Sequence, residues 1–304
     1  MSLRLYKEPD LGEVEMVASW PGMGNVGVIA VDTLRGQVHA EELGEIEPYD
    51  LFFPRKAVIK AGILEELEFP VNKFYYRKLG DKGLILFLAE EQPAAAGRMY
   101  AEGAKGYQMA NMVLDVAARF GCRRVYTSGA AIASSHHLQR PRVWAATSAL
   151  GLNKEVRRYE NTVLMSEIEG LEEQGNITGL NGLLLGLAKK RGLESICLMG
   201  EIPDYLSRAP FPYPRAAKSV LEVLSRLLGI EVDYDPLDRM AERIDEVVET
   251  LYDSLPPEVL ERIEQRRTSL EGKGSGITDD DASWIREHVD DLFKKGHGSD
   301  ERSS

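Results

Sequence analysis

The sequence predicts a three-layer α/β/α sandwich on a mostly parallel sheet, followed by a helical extension. Three observations predict it. Continuous apolar runs, such as Leu84–Ala89 and Ser195–Met199, suit strands buried on both faces. Between them lie stretches with apolar residues three and four apart, as in Met109, Met112, Val113, Val116 and Phe120. Alternation of the two patterns gives a sheet covered by helices on both sides.

In chain order, residues 13–20 read as a strand, Pro21–Gly27 as a glycine-rich turn and Val28–Leu34 as a helix closed by Gly36. Residues 37–43 fit a second strand. The stretch 50–79 holds short apolar runs separated by Pro and Gly, which predicts inserted antiparallel strands. Residue 84 opens a buried strand, and a helix over 98–120 follows with Gly121 as its C-cap. Further strands are expected at 123–128, 142–147 and 161–168. A helix over Asn181–Lys190, the strand Ser195–Met199 and a helix over Pro214–Leu228 follow, the last with Pro at its start and Gly229 at its end.

These elements place an α/β/α domain in residues 1–232 and an acidic extension in 233–304. The net charge is −12 over 304 residues. Residues 233–304 carry 20 acidic and 10 basic side chains, against 29 and 27 in the body. That balance argues against nucleic acid, whose phosphates need clustered Lys and Arg. No apolar run is long enough to span a membrane, and residues 1–10 hold no apolar signal segment, so a cytoplasmic location is expected. Cys122 and Cys197 read as buried small hydrophobes. In the extension, Leu237, Met240, Ile244, Val247, Leu251 and Leu255 form one helical stripe. It is suited either to packing on its own body or to a subunit interface. A shorter helix over 258–267, an amphipathic helix over 279–295 and a disordered end at 296–304 complete the reading.

Gly22, Gly24 and Gly27 fit G-x-G-x-x-G between a strand and a helix, with Asn25 between them. Helix N-terminal amides favour anions, and Glu42 would then hold a ribose hydroxyl. The alternative is that the glycines permit a tight turn and close helix–sheet packing, which is the reading favoured here. Gly175–Gly182 form a second such entry, with Asn181 as N-cap and Gly182 beside it. Glu90, Glu91 and Glu201 follow buried strands and would gather at the carboxyl edge of a parallel sheet, together with Ser128 and Gly129. His136 and His137, adjacent in an extended stretch, are expected to point apart. No metal cluster, cofactor motif or catalytic constellation is recognised, and neither catalysis nor a cofactor is expected.

Taken together, these residues resemble the proteasome assembly chaperone 2 family. The resemblance runs through Pro21–Gly27, Phe52-Phe53-Pro54, Glu90-Glu91-Gln92-Pro93, Tyr126–Ala130, Gly179–Gly186, Leu198–Pro203 and Pro214–Ala217, over residues 13–235. It implies a fold like that of nucleoside phosphorylases, a homo-oligomer, and protein binding to the proteasome or related assembly subunits. Some microbial members dock through a C-terminal hydrophobic–Tyr–any tail. This sequence ends Glu301-Arg302-Ser303-Ser304, so docking by that route is not expected. The alternative function is a small-ligand binder or enzyme, for nucleotides or nucleosides or as an ATP-dependent ligase. It would use the edge formed by Gly22–Gly27, Glu90, Glu91, Ser128, Gly129, Asn181, Gly182 and Glu201.

Overall fold

A computed structural model describes residues 3–94, 100–101, 103–168, 175–267 and 284–285. Strand β1 (Leu3–Leu5) precedes β2 (Glu13–Ser19) and helix α1 (Val26–Gln37). Next come β3 (Glu41–Ile46), β4 (Lys56–Lys60), β5 (Ile63–Glu68), β6 (Asn72–Leu79) and β7 (Lys82–Ala89). Helix α2 (Gly103–Arg119), β8 (Cys122–Ala133), β9 (Val143–Thr147), α3 (Leu150–Val156) and β10 (Thr162–Leu164) follow. The remaining elements are α4 (Gly179–Lys190), β11 (Glu194–Pro203), α5 (Pro214–Leu228), α6 (Asp235–Asp253) and α7 (Pro257–Arg267).

Among the described residues nine strands form one mixed sheet in the order β1-β3-β6-β7-β2-β8-β11-β9-β10, while β4 and β5 pair only with each other. The centre, β7-β2-β8-β11, is parallel throughout. Antiparallel pairs flank it at β6–β7 and β9–β11. The three layers follow from strand periodicity. Val17, Leu84, Leu86 and Tyr126 face one core with α1, α5 and α6. Their neighbours Met16, Ala18, Ile85, Phe87 and Val125 face the other, with α2 and α4.

Several expectations shift in detail. Helix α1 begins at Val26 and continues through Gly36 to Gln37, because nothing crowds that glycine and the helix pays only its propensity cost. Strand β8 runs past Ser128 to Ala133, since β11 pairs with it along its whole length. Only β6 of the inserted strands joins the main sheet. Helix α3 and strand β1 carried no periodic signal, being seven and three residues long. Gly121 and Gly229 do end helices with φ of 63° and 70°.

Helix α6 packs along α5, and its stripe divides unevenly. Leu237, Val248, Leu251 and Leu255 are buried in the same core as α5, and Ile244 and Val247 lie partly buried against it. Met240 is also partly buried. Leu237 and Leu251 are thus interior residues of their own chain, not surface residues awaiting a partner. The expected boundary near residue 233 falls within one continuous apolar cluster. Helix α7 is pinned by Arg266, 0% exposed, whose Nη1 donates to Asp204 Oδ1 at 2.6 Å. Of the helix expected over 279–295, only Trp284 and Ile285 are described, and both pack on the same core. The rest, and residues 296–304, lie outside the described residues. Cys122 and Cys197 are buried free thiols, pushed up by burial to about 12 and about 11.

Because α6 shares the core, Leu251→Ala is expected to cost about 2–5 kcal/mol. The loss should appear as an earlier urea midpoint for the whole chain, read by circular dichroism. A separate early transition, with the body's midpoint unmoved, would show instead that the extension folds by itself.

Candidate functional site

The first glycine-rich turn leaves β2 at the carboxyl edge of the parallel strands. Met23–Asn25 form a single 3-10 turn, with φ of 55° at Gly24 and 48° at Asn25. Asn25 accepts that left-handed backbone more readily than a branched residue would. Each of the next two glycines meets a neighbour. A Cβ at Gly24 would lie 2.8 Å from Tyr213 Cβ, and Gly24 O accepts the Tyr213 amide at 2.8 Å. A Cβ at Gly27 would lie 2.3 Å from Ser128 O and 2.6 Å from Ser19 Oγ. The turn therefore seats α1 directly on β2 and β8. Glu42 lies on β3, across β6 and β7 from β2, and pairs with Lys73 at 2.6 Å. It is not available to a ligand at this turn, because β6 and β7 stand between β3 and β2.

The second entry behaves likewise. Helix α4 starts at Gly179 (φ 71°), so Asn181 lies inside the helix and is not its N-cap. Asn181 Nδ2 donates to Ser128 O at 3.0 Å, and its Oδ1 is buried without a partner among the described residues. A Cβ at Gly129 would lie 2.6 Å from Asn181 Nδ2, and one at Gly182 would lie 2.2 Å from Ile177 O. Ser128 sits within β8, 1% exposed, its hydroxyl 3.4 Å from Ser19 Oγ and 3.3 Å from Gly27 O. It belongs to the helix–strand seam instead of standing at a strand end.

Gln92 ties these pieces together, a role that the sequence reading did not give it. Its Nε2 donates to Pro21 O at 2.9 Å, while its Oε1 accepts Ala101 N at 3.1 Å and Leu180 N at 3.4 Å. One neutral carboxamide thus meets an amide in the first turn of α4, a group that has no partner within its own helix. The only sequence signal was its place beside Glu90-Glu91 after a buried strand.

The three carboxylates do not gather. Arg55 spans Glu90 and Glu91 at 2.8 and 2.6 Å, and Glu90 Oε2 also accepts Val71 N at 3.1 Å. Glu201 lies inside β11, 2% exposed. Its Oε1 accepts from Trp144 Nε1 at 2.6 Å and Arg142 Nε at 2.9 Å, and its Oε2 from Arg142 N at 3.0 Å. With β2 and β8 between β7 and β11, each group takes its own cationic partner. What the edge does contain is a cleft of about 340 Å³, lined by Gly22, Gly27, Gly129 and Asn181 together with Trp20, Met23, Tyr100, Trp144, Met165 and Met199. Among the described residues, no group of three or more His, Cys, Asp or Glu is placed to hold a metal.

His136 and His137 do not point apart. Their rings stack at 4.3 Å, buried under Tyr252 of α6. The segment leaves β8 in a turn, so the alternation of an extended strand does not apply. Tyr205 Oη accepts the His137 amide at 2.9 Å and lies 2.7 Å from its Nδ1. That leaves the hydroxyl proton to serve a neutral imidazole. Burial, then the neighbouring His136, pulls His137 down to about 4. Burial also lowers His136, opposed by Glu264, whose carboxylate lies 3.8 Å from His136 Nε2. Asp245 and Glu264 oppose the shift at His137, while Arg215 adds to it.

Comparison with known proteins gives consistent findings. The sequence model of the PAC2 family matches residues 16–252. An uncharacterized protein of Methanocaldococcus jannaschii, MJ1210, is 27% identical over 236 residues, covering 78% of this chain and 82% of that one. Among solved structures, Pyrococcus furiosus PbaB, described as an archaeal proteasome activator, superposes with a TM-score of 0.67. It is 28% identical, covering 82% of this chain and 98% of its own. Pyrococcus furiosus PbaA, described as an archaeal homolog of proteasome-assembly chaperone, shares the fold at a TM-score of 0.59. It is 24% identical, with 88% and 100% covered.

Two outcomes follow. Gly27→Ala is expected to lower the melting temperature sharply or leave the chain insoluble, since backbone must move. Gly36→Ala, with nothing within 4 Å, should instead stabilise by up to about 1 kcal/mol. Thermal melts of both variants check the contrast. For His137, the folded value is depressed, so the unfolded chain takes up its proton first as pH falls. Stability is therefore expected to decline from about pH 6.5 to about pH 4 and level off below. His137→Gln should flatten that part of the profile, and an unchanged slope in urea titrations would disprove the assignment.

Proposed function

The chain belongs to the PAC2 family, and on that premise we propose that it is a proteasome-assembly-chaperone-like protein. It binds proteasome or related assembly subunits as a homo-oligomer in the cytoplasm and works without catalysis. The likeness of its whole body to PbaB, an archaeal proteasome activator, carries this reading. A second observation supports it. The carboxylates at the carboxyl edge are already engaged by Arg55, Arg142 and Trp144, and the space beside Gly24, Gly27, Gly129 and Gly182 is filled by neighbouring backbone and side chains. Such an edge is a packed seam first. The cleft beside it favours one other reading, a small apolar or nucleoside-like ligand held between Trp20, Tyr100, Trp144 and Asn181.

Size-exclusion chromatography with purified proteasome α subunits and assembled core particle separates the two. The full chain is expected to elute above the mass of one protomer and to comigrate with one of the proteasome species. No comigration, together with a thermal shift on adding nucleosides or nucleotides, would transfer the assignment to the cleft. A ligand at a hundredfold excess over its dissociation constant stabilises by about 2.7 kcal/mol, which is readily seen.

A further inference from the structure

Strands β4 and β5 form a hairpin that projects from the body. Its turn, Ala61-Gly62, has φ of 50° and 79°, as a two-residue hairpin needs. Among the described residues neither strand pairs with any other, so both outer edges present amides and carbonyls without a strand partner. The register places Ala57 opposite Leu67 and Ile59 opposite Leu64 on one face. That face is bare: Ile59 is 63% exposed, Leu64 57% and Leu67 49%, and Ile63 on the other face is 69% exposed. An isolated two-stranded hairpin is marginal in water, and a bare apolar face makes it more so.

Charge then selects the occupant. Strand β4, Lys-Ala-Val-Ile-Lys, carries two cations and no acid. Strand β5, Ile-Leu-Glu-Glu-Leu-Glu, carries three acids and no cation. Within the hairpin Lys56 pairs with Glu68 at 2.9 Å and Lys60 with Glu65 at 2.7 Å. If two copies joined β4 to β4, or β5 to β5, two strands of the same net charge would lie side by side, which is destabilising. Joining β4 of one copy to β5 of the next repeats the attraction already present inside the hairpin.

Resting on the self-association proposed above, we infer that the hairpin is the assembly element, β4 of each copy adding to β5 of its neighbour. Such a contact is head-to-tail, which gives a closed ring or an open filament in place of a two-fold dimer, and the ring is the form proposed. The hairpins then form a continuous sheet around the ring axis, and closure removes the free edges. Ala57, Ile59, Leu64 and Leu67 turn inward, where their apolar surface is covered.

Two measurements on the full chain test this. Ile59→Lys combined with Leu64→Lys should reduce the light-scattering mass to one protomer while leaving the melting of the body in place. In an assembly of mixed light and heavy-nitrogen chains, a zero-length carbodiimide should join Lys56 or Lys60 of one isotope to Glu65, Glu66 or Glu68 of the other. An assembly that keeps its mass in the double variant, or yields no mixed-isotope links between the strands, overturns the assignment. So does a variant that stays assembled but loses the proteasome, since the hairpin would then serve that partner. A wild-type chain that is a single protomer at micromolar concentration refutes self-association itself, and this inference with it.

Discussion

Helix α1 lies on the sheet at backbone contact because position 27 has no side chain. The carbonyl group of Ser128 and Ser19 Oγ occupy the space that a Cβ would need. That approach sets the depth of α1, against which α5 packs, and α6 in turn packs on α5. It also draws the carbonyl of Ser128 to Asn181, fixing the start of α4 on the opposite face. Both outer layers are thus referenced to one residue pair on β8. A G-x-G-x-x-G turn can hold a phosphate or hold a helix close to a strand. Here the close approach is directly visible, and Gln92 meets an amide at the N-terminus of α4.

The C-terminal helices belong to the body through two kinds of contact. The apolar side of α6 continues the core of α5, and α7 is fastened by the buried pair Arg266–Asp204. A buried pair of this kind specifies one arrangement more than it adds stability, because desolvation offsets much of the attraction. Between these helices and the sheet lie His136 and His137, both shifted down by burial, with Tyr205 hydrogen-bonded to His137. The acidic character of the extension lies on its outer side, where Glu242, Glu246 and Glu249 are exposed. The hairpin of β4 and β5 is the opposite case, an element whose apolar residues Ile59, Ile63, Leu64 and Leu67 stand exposed.

Much of the fold was legible in the sequence because periodicity reports burial. The run from Leu84 to Ala89 is apolar on both faces and became the buried β7, while Pro214 and Gly229 marked the ends of α5. The site was less legible. Glycines announce close approach, as Gly24, Gly27, Gly129 and Gly182 do here, but a glycine does not name what approaches it. The carboxylates misled, since a Glu after a strand looks the same whether it awaits a ligand or meets an arginine. Arg55 reaches Glu90 and Glu91 from 35 and 36 residues away, and Arg142 meets Glu201 across 59.

The sequence by itself determined the three layers, the family resemblance, the glycine seams and the amphipathic face of α6, all of which follow from local spacing and residue size. Only the tertiary structure decided that this face is turned inward against α5, that the two histidines stack, and that β4 and β5 stand apart from the sheet. Those outcomes depend on partners distant in the chain. A local pattern states what a residue requires, whereas the assembled fold decides which neighbour supplies it.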